Sequence, residues 1–277
     1  MTSTRDRSTA ANGHTAVSAV SGRDALRTTA AVGLVARGVV YAVIGILALK
    51  VAAGAGGKTE NQTGAMRTIA GQPFGEALLI VLAVGLACYA IWRLIEGVVG
   101  TRPGDDGAAH RRVAAIASGI AYAALCYTAV KIIAGAQATT GSPKHATAGV
   151  LGWPGGPVLV AIAGLVVIGV GVYQGYKGLS RKFEEESNTQ RMGRGARTVF
   201  TALGVTGHVA RAITFLLIGY GVIKAALSYS ARSAVGLDGA LQKLAHASAG
   251  PLLLGVVAAG FVAFALYSIA DARYHKV

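Results

Sequence analysis

The basic residues inside or beside long apolar segments are the ones that could bind a ligand. Lys50, Lys131 and Lys224 occupy equivalent positions, each nine residues after an aromatic residue. If symmetry gathered them, they would form a cationic ring of the kind that selects anions in a pore. Alternatively, each lysine lays its stem in lipid and extends its ammonium group to the headgroups. At about 100° per residue, Lys50 lies about 120° from the helix face that carries Gly38 and Gly45, which favours the second interpretation.

Four further basic residues could bind an anionic group. Arg37 and Arg211 occupy equivalent positions one turn before an aromatic residue, and Arg93 and Lys177 occur on the apolar segments that follow. A guanidinium group presents a planar set of donors that fits phosphate or carboxylate, so an anion or lipid-headgroup pocket is one hypothesis. Enrichment of basic residues at the cytoplasmic ends of membrane spans explains the pattern without a pocket, and we favour it.

The sequence contains no pattern that predicts catalysis. It lacks a paired-histidine zinc motif, a glycine-rich phosphate loop and a Gly-x-Ser-x-Gly elbow. No acidic residue lies clearly in the middle of an apolar segment, and the six histidines share no helix face. We therefore expect a protein that is not an enzyme and that needs no cofactor or metal ion.

Six long apolar segments must position these residues. Of the 277 residues, 53% are hydrophobic and only 14% are charged. A helix needs about 20 apolar residues to span the hydrocarbon core of a bilayer, and these segments do not alternate in polarity as barrel strands do. They cover Ala30–Ala53, Ala77–Val99, Val113–Ala136, Val158–Gly178, Val205–Leu227 and Pro251–Ala270.

The six segments form three tandem copies of one two-helix unit. The first segments share Gly33-Leu34-Val35-Ala36-Arg37-Gly38 and Gly207-His208-Val209-Ala210-Arg211-Ala212, and the looser middle copy has Ala117-Ser118-Gly119, with Ser118 where the others have arginine. In the second segments, Gly85, Tyr89, Trp92 and Arg93 of the first copy correspond to Gly169, Tyr173, Tyr176 and Lys177 of the second. They correspond to Gly260, Phe264, Tyr267 and Ser268 of the third. This pattern resembles the bacterial membrane family catalogued as domain of unknown function 1206, defined by a pair of transmembrane helices that occurs three times. The resemblance covers nearly everything after the N-terminal tail. It implies the fold and a membrane location, and no activity.

We predict an all-α integral membrane protein with six transmembrane helices, arranged as three parallel two-helix repeats around a pseudo-threefold axis. The repeats are parallel because a unit with two spans returns to its starting side. The predicted organisation is a disordered cytoplasmic tail (1–29), repeat 1 (30–104), repeat 2 (111–183), a charged cytoplasmic linker (184–198) and repeat 3 (199–277).

The charge distribution predicts the orientation. The net charge is +14, and about 16 of the 26 lysines and arginines lie on the side of the tail, the two connections between repeats and the C-terminus, including Arg93 and Lys177 near the ends of their segments. An excess of Lys and Arg marks the cytoplasmic face, so we expect a multi-pass protein of the cell (plasma) membrane with both termini in the cytoplasm.

Recurring small residues predict where helices approach closely. They are Gly38, Gly45, Gly119, Gly219, Gly171 and Gly175. Small residues on one face allow close backbone contact in lipid, so we predict a packing role for them. Similar sequences in the three outer connectors also suggest short interfacial or re-entrant helices that cap the bundle.

Two classes of function remain open. The first is a structural module that interacts with membrane lipids, through anionic headgroups at its basic cytoplasmic face, or with an unknown protein partner. The second is a channel or transporter for a small solute or anion along the pseudo-threefold axis. A dry, closed axis would favour the first, and an open cavity lined by the three lysines the second. Specific nucleic-acid binding is not expected, because no recognisable binding fold accompanies the positive charge.

Overall fold

The computed structural model of the protein describes residues 6–99, 108–136 and 143–275, with the backbone alone for 6–27, 108, 110, 111, 143 and 145. Within these ranges the chain is helical, and six helices are long and apolar enough to cross a membrane, which confirms the predicted fold class. The helices are α1 (Asp6–Ala52), α2 (Gln62–Ala70), α3 (Gly75–Val99), α4 (Ala108–Ile133), α5 (Pro143–Leu151), α6 (Gly156–Leu179), α7 (Arg194–Leu227), α8 (Leu237–Ala245) and α9 (Gly250–Tyr274). The six candidate spans are α1, α3, α4, α6, α7 and α9.

Two helices begin earlier than the sequence suggests. Helix α1 is assigned from Asp6, within the predicted disordered tail, and α7 begins at Arg194, within the predicted linker. Both stretches contain alanine and arginine, which are good helix formers, and an existing helix extends at little cost. Apolar length alone does not detect such polar extensions of a helix.

Contacts between repeats follow one rule: the first helix of each repeat packs its small-residue face against the second helix of another repeat. A Cβ atom on Gly45 of α1 would lie 3.0 Å from the Ala258 carbonyl oxygen of α9. A Cβ atom on Gly119 of α4 would lie 3.2 Å from the Ala90 carbonyl oxygen of α3. These approaches are as close as backbone and side chain permit, so each glycine is needed where the predicted packing places it.

The third contact of this type joins α6 and α7. A Cβ atom on Gly219 would lie 2.9 Å from the Gly164 carbonyl oxygen, and one on Gly171 would lie 3.2 Å from the Ala212 carbonyl oxygen. A Cβ atom on Gly175 would lie 3.5 Å from the Ala212 Cβ atom, which is an ordinary van der Waals distance. Gly38 of α1 packs against α9, where a Cβ atom on it would lie 3.0 Å from the Ala265 carbonyl oxygen.

Contacts within a repeat rely on a glycine that faces an aromatic residue. A Cβ atom on Gly33 of α1 would lie 2.7 Å from Tyr89 Cα of α3, and one on Gly207 of α7 would lie 2.6 Å from Phe264 Cα of α9. Repeats 1 and 3 are therefore closed by the same interaction.

Repeat 2 is open: among the described residues, α4 and α6 do not form the extensive contact that joins the two long helices of repeats 1 and 3. Nothing lies within 4 Å of a Cβ atom built on Gly169, the position equivalent to Gly85 and Gly260. Tyr173 is 46% exposed, whereas its equivalents Tyr89 and Phe264 are 3% and 0% exposed. The helices thus form a ribbon in the order α4, α3, α1, α9, α7, α6, and the space between its two ends is called the α4–α6 cleft below.

The connection between repeats 2 and 3 folds over one end of the bundle. Phe183 is fully buried, stacks on His208 at 5.4 Å between ring centroids and packs edge-on against Tyr267 at 5.3 Å. It fills the space above Gly204, where any side chain would collide with its ring. Residues 182–192, called the strap below, include two short 3-10 helices.

Polar contacts fasten the strap. Ser187 donates a hydrogen bond to the buried Asp271 carboxylate, which also contacts His275 Nδ1 at 3.3 Å. The backbone N–H of Asn188 donates to the Tyr274 carbonyl oxygen at 2.6 Å. The strap therefore covers the end of the bundle at which α3, α6 and α9 finish, called the basic end below.

Short helices cover the opposite end. Helix α2 packs against α3 and α4, α5 against α6, and α8 against α7 and α9. Each of the three connectors thus contains a helix, as the recurring connector sequences suggested.

Candidate functional site

Two arginines from different repeats meet at one aromatic ring inside the bundle. The Arg37 Cζ atom lies 5.0 Å from the Phe264 ring centroid, and the Arg211 Cζ atom lies 4.5 Å from it. The two guanidinium carbons are therefore no more than about 10 Å apart, close enough for strong repulsion in a medium of low polarity. These residues and their contacts are called the arginine pair below.

Arg37 is oriented by neighbours on both adjacent helices. Its Nη1 donates to the Tyr89 hydroxyl at 3.1 Å, and its Nε donates to Ser268 Oγ at 3.3 Å. Tyr89 in turn packs against Tyr122 of α4, with ring centroids 4.4 Å apart. The hydrogen-bond partners of the guanidinium group are thus neutral hydroxyls. The buried Asp271 carboxylate, one turn beyond Ser268, lies within electrostatic reach of Arg37 but forms no ion pair with it.

Arg211 is oriented by an amide and by aromatic rings. With its oxygen facing the donors, Gln174 accepts from Arg211 Nη1 at 2.8 Å and Nη2 at 3.1 Å. The Arg211 Cζ atom also lies 5.4 Å from the Tyr41 ring centroid and 5.6 Å from that of Phe215. Cation–π contacts stabilise a charge removed from water, but they do not neutralise it.

The four basic residues predicted from the sequence divide into two kinds. Arg93 Nη1 pairs with Glu96 at 2.6 Å, and Lys177 Nζ pairs with Glu186 of the strap at 2.7 Å. Neither Arg37 nor Arg211 forms an ion pair with any described residue. The unneutralised charge is therefore concentrated on the arginine pair.

The arginine pair lies below the ends of the spanning helices. Gln174 is five residues before the end of α6, Ser268 six residues before the end of α9, and Tyr89 ten residues before the end of α3. At about 1.5 Å per residue, these partners lie about 8 to 15 Å inside the basic end. This depth corresponds to the boundary between lipid headgroups and acyl chains, where a basic pocket between helices can hold a headgroup.

The α4–α6 cleft leads to the arginine pair. Tyr122 of α4 lies within electrostatic reach of both Arg37 and Arg211, and Gln174 of α6 contacts Arg211 directly. Both arginines are partly accessible, although the surrounding aromatic residues Tyr41 and Phe264 are buried. The two open ends of the ribbon thus border the same charged centre.

His208 is a second polar group buried near this centre. It is 3% exposed, and neither ring nitrogen has a hydrogen-bond partner. Leu34 occupies the equivalent position in repeat 1 and is also buried. The fold therefore accommodates an apolar side chain at this position and does not need the imidazole.

The three lysines lie apart from this centre. Lys50 and Lys224 are exposed, and Lys131 lies against Tyr127 of its own helix, with Nζ 5.7 Å from the ring centroid. Lys50 and Lys224 therefore lie on the outer surface of the bundle and not around a central axis. In the described part of the chain, no group of three or more His, Cys, Asp or Glu side chains could hold a metal ion.

Several residues of this region were not identified from the sequence. Gln174 is a polar residue within the fourth apolar segment, and Phe264 was noted only as a repeat position. An amide in a transmembrane segment is a signal that could have been followed. The buried Asp271 and Phe183 carried no such signal, because Asp271 lies just beyond the last apolar segment and Phe183 lies beside the charged linker.

Comparisons with known proteins agree with the repeat architecture. The model of a family described as Domain of Unknown Function (DUF1206) matches residues 32–100, 113–181 and 206–275, which confirms the resemblance. A relative from Bacillus subtilis (strain 168), the uncharacterized protein YxxB, is 31% identical over 247 residues, covering 88% of this chain and 90% of the relative. No solved structure matches the chain.

Proposed function

We propose that this chain, which belongs to the family described as domain of unknown function 1206, is a non-catalytic membrane module that binds an anionic group at the arginine pair. The observation that carries the proposal is two guanidinium groups at one ring, neither of which forms an ion pair with a described residue. The nearby Asp271 supplies one negative charge at longer range, bonded to Ser187 and not to the arginines. Removing a charged group from water is costly unless the charge is paired, so two such groups call for a compensating interaction.

An anion between the two arginines would supply that compensation. Two unit positive charges at most about 10 Å apart repel by at least about 1.7 kcal/mol at an effective dielectric constant of 20. A single negative charge about 5 Å from each would gain about 3 kcal/mol from each contact. Guanidinium groups with free N–H donors suit phosphate or carboxylate, and the Tyr89 and Tyr122 hydroxyls could add hydrogen bonds.

The packing at the centre of the ribbon supports a binding module in preference to an axial pore. Tyr41, Ile44, Leu86, Phe261 and Phe264 are buried there, and Tyr41 packs against both phenylalanine rings at 5.6 and 4.9 Å. A path for ions needs polar groups or water along its length, and these residues provide neither.

The proposed setting is the plasma membrane, with the basic end and both termini in the cytoplasm. The support is the concentration of Lys and Arg at that end, since the short outer connectors carry few. The partners proposed are anionic lipid headgroups on that face.

The test compares two matched double variants in neutral detergent. Arg37→Gln with Arg211→Gln removes both charges of the pair, while Arg232→Gln with Arg273→Gln removes two exposed charges and serves as control. Inorganic phosphate and glycerol phosphate are titrated, and the midpoint of thermal unfolding is followed. A ligand at 100 times its Kd stabilises the native state by about 2.7 kcal/mol. Stabilisation of wild type and control, but not of the first variant, is expected. Equal responses from all three proteins would refute the proposal.

A further inference from the structure

We infer that the ligand of the arginine pair is a membrane lipid with an anionic headgroup, which enters sideways from the bilayer through the α4–α6 cleft. This inference rests on the proposed function, since it needs an anion site at Arg37 and Arg211. It adds the route and the place of the lipid chain: the headgroup reaches the arginines, and an acyl chain lies in the cleft.

The cleft is specific to repeat 2. In repeat 1 the α3 glycine, Gly85, packs against Ala36 of α1, and in repeat 3 Gly260 packs against Ala210 of α7. The equivalent pair in repeat 2 is Gly169 and Ala117, yet space remains around Gly169. Repeat 2 has Ala114 where Gly33 and Gly207 meet the aromatic residue in the closed repeats. The surfaces around Gly169 and Ala117 are therefore left available to an acyl chain.

Other routes to the arginine pair are closed. Phe183 and the strap cover the basic end, with Phe183 fully buried over His208. Short helices α2 and α8 cover the opposite end, and the five remaining helix contacts around the ribbon are packed. Among the described parts of the chain, the gap between α4 and α6 is therefore the route that this packing leaves least obstructed.

The chemistry of the cleft matches a lipid along its length. Its α4 wall carries the exposed small residues Ala114 and Ala117, and its α6 wall carries Gly169 and the exposed ring of Tyr173. These surfaces are apolar and leave room for a chain. The charged end of the cleft lies about 8 to 15 Å inside the basic end, at the depth of lipid headgroups and glycerol. An apolar wall that ends in two cations without ion-pair partners is complementary to an anionic lipid, whose chain and headgroup occupy the two parts.

The proposal is tested by separating headgroup binding from chain binding. Gly169→Leu places a side chain in the cleft, and Val170→Phe enlarges an exposed neighbour about 100° away on α6 as a control. Binding of dioleoyl phosphatidic acid and dioleoyl phosphatidylcholine is counted by native mass spectrometry. Binding of inorganic phosphate is measured by calorimetry.

We expect Gly169→Leu to weaken phosphatidic acid binding by about tenfold or more and to leave phosphate binding within about twofold of wild type. Val170→Phe should change neither, and phosphatidylcholine should bind weakly throughout. Unchanged phosphatidic acid binding by Gly169→Leu would overturn the lateral route, even if phosphate binding persists. If the double variant Arg37→Gln with Arg211→Gln binds phosphate and lipid as wild type does, the proposed function itself is overturned.

A photoactivatable phosphatidic acid gives a measurement that does not depend on how the variants fold. With the wild-type protein, labelling is expected on α4 and α6 near Ala117 and Tyr173, and excess unlabelled phosphatidic acid should suppress it. Labelling confined to other helices would contradict the inference.

Discussion

Three glycines at the same repeat position provide a direct test of the open cleft. A Cβ atom on Gly85 would lie 2.6 Å from the Ala36 Cβ atom, and one on Gly260 would meet the Ala210 side chain even more closely. Ordinary carbon–carbon contacts lie at about 3.5–4.0 Å, so the helices would have to separate by about 1 Å. Nothing lies within 4 Å of the same atom built on Gly169.

Alanine at the three positions should therefore have unequal effects. Overpacking costs about 1–3 kcal/mol, whereas replacing glycine by alanine in a helix gains up to about 1 kcal/mol. The helix-propensity gain is common to all three variants, so Gly85→Ala and Gly260→Ala should each be about 1–3 kcal/mol less stable than Gly169→Ala. Gly169→Ala itself should be as stable as wild type or slightly more stable.

The assay is reversible unfolding in mixed detergent micelles, followed by circular dichroism. Each variant is compared with wild type under identical conditions, because the free energy of unfolding depends on the micelle composition. A loss of stability in Gly169→Ala equal to that in Gly85→Ala would show that α4 and α6 are in contact in solution. The reasoning that derives a lateral entrance from the cleft would then fail.

Two further variants test buried groups near the basic end. His208→Leu should stabilise the protein by about 1–3 kcal/mol, because it replaces two buried ring nitrogens that have no hydrogen-bond partner among the described residues. The new side chain is the one that Leu34 presents at the equivalent position of repeat 1. A loss of stability in thermal unfolding would show that the imidazole has a partner. Phe183→Ala should cost about 3–5 kcal/mol, because it empties a fully buried site, and hydrogen exchange should show the strap opening; unchanged protection of residues 182–192 would contradict this role.

Much of the architecture follows from local features of the sequence. The length of six apolar segments specifies six spans, because a bilayer of fixed thickness requires helices of that length. Glycines such as Gly45 and Gly119 could be assigned to close contacts because in lipid a small residue is what permits two backbones to approach. The Arg93–Glu96 pair was also accessible to sequence reasoning, because its partners are one turn apart.

The arginine pair could be predicted only in part. Arg37 and Arg211 stand out as repeated cations, but their sequence neighbours do not reveal whether a carboxylate faces them. Arg37 meets Ser268, which is 231 residues away in the chain, whereas Lys177 meets Glu186 on the strap. The division into neutralised and unneutralised charges depends on such distant partners.

The sequence by itself determined six spans, three parallel repeats and the small-residue faces, because apolar length and residue size act within one helix or its nearest copy. The tertiary structure showed that repeat 2 stays open: Gly169 and Tyr173 match their counterparts in the closed repeats, but Ala114 stands where Gly33 and Gly207 make the closing contact. It also decided that Phe183, at the edge of a charged connection, fills the basic end. Both outcomes depend on how all six helices share a limited interface, and packing at one contact sets the space left at the next.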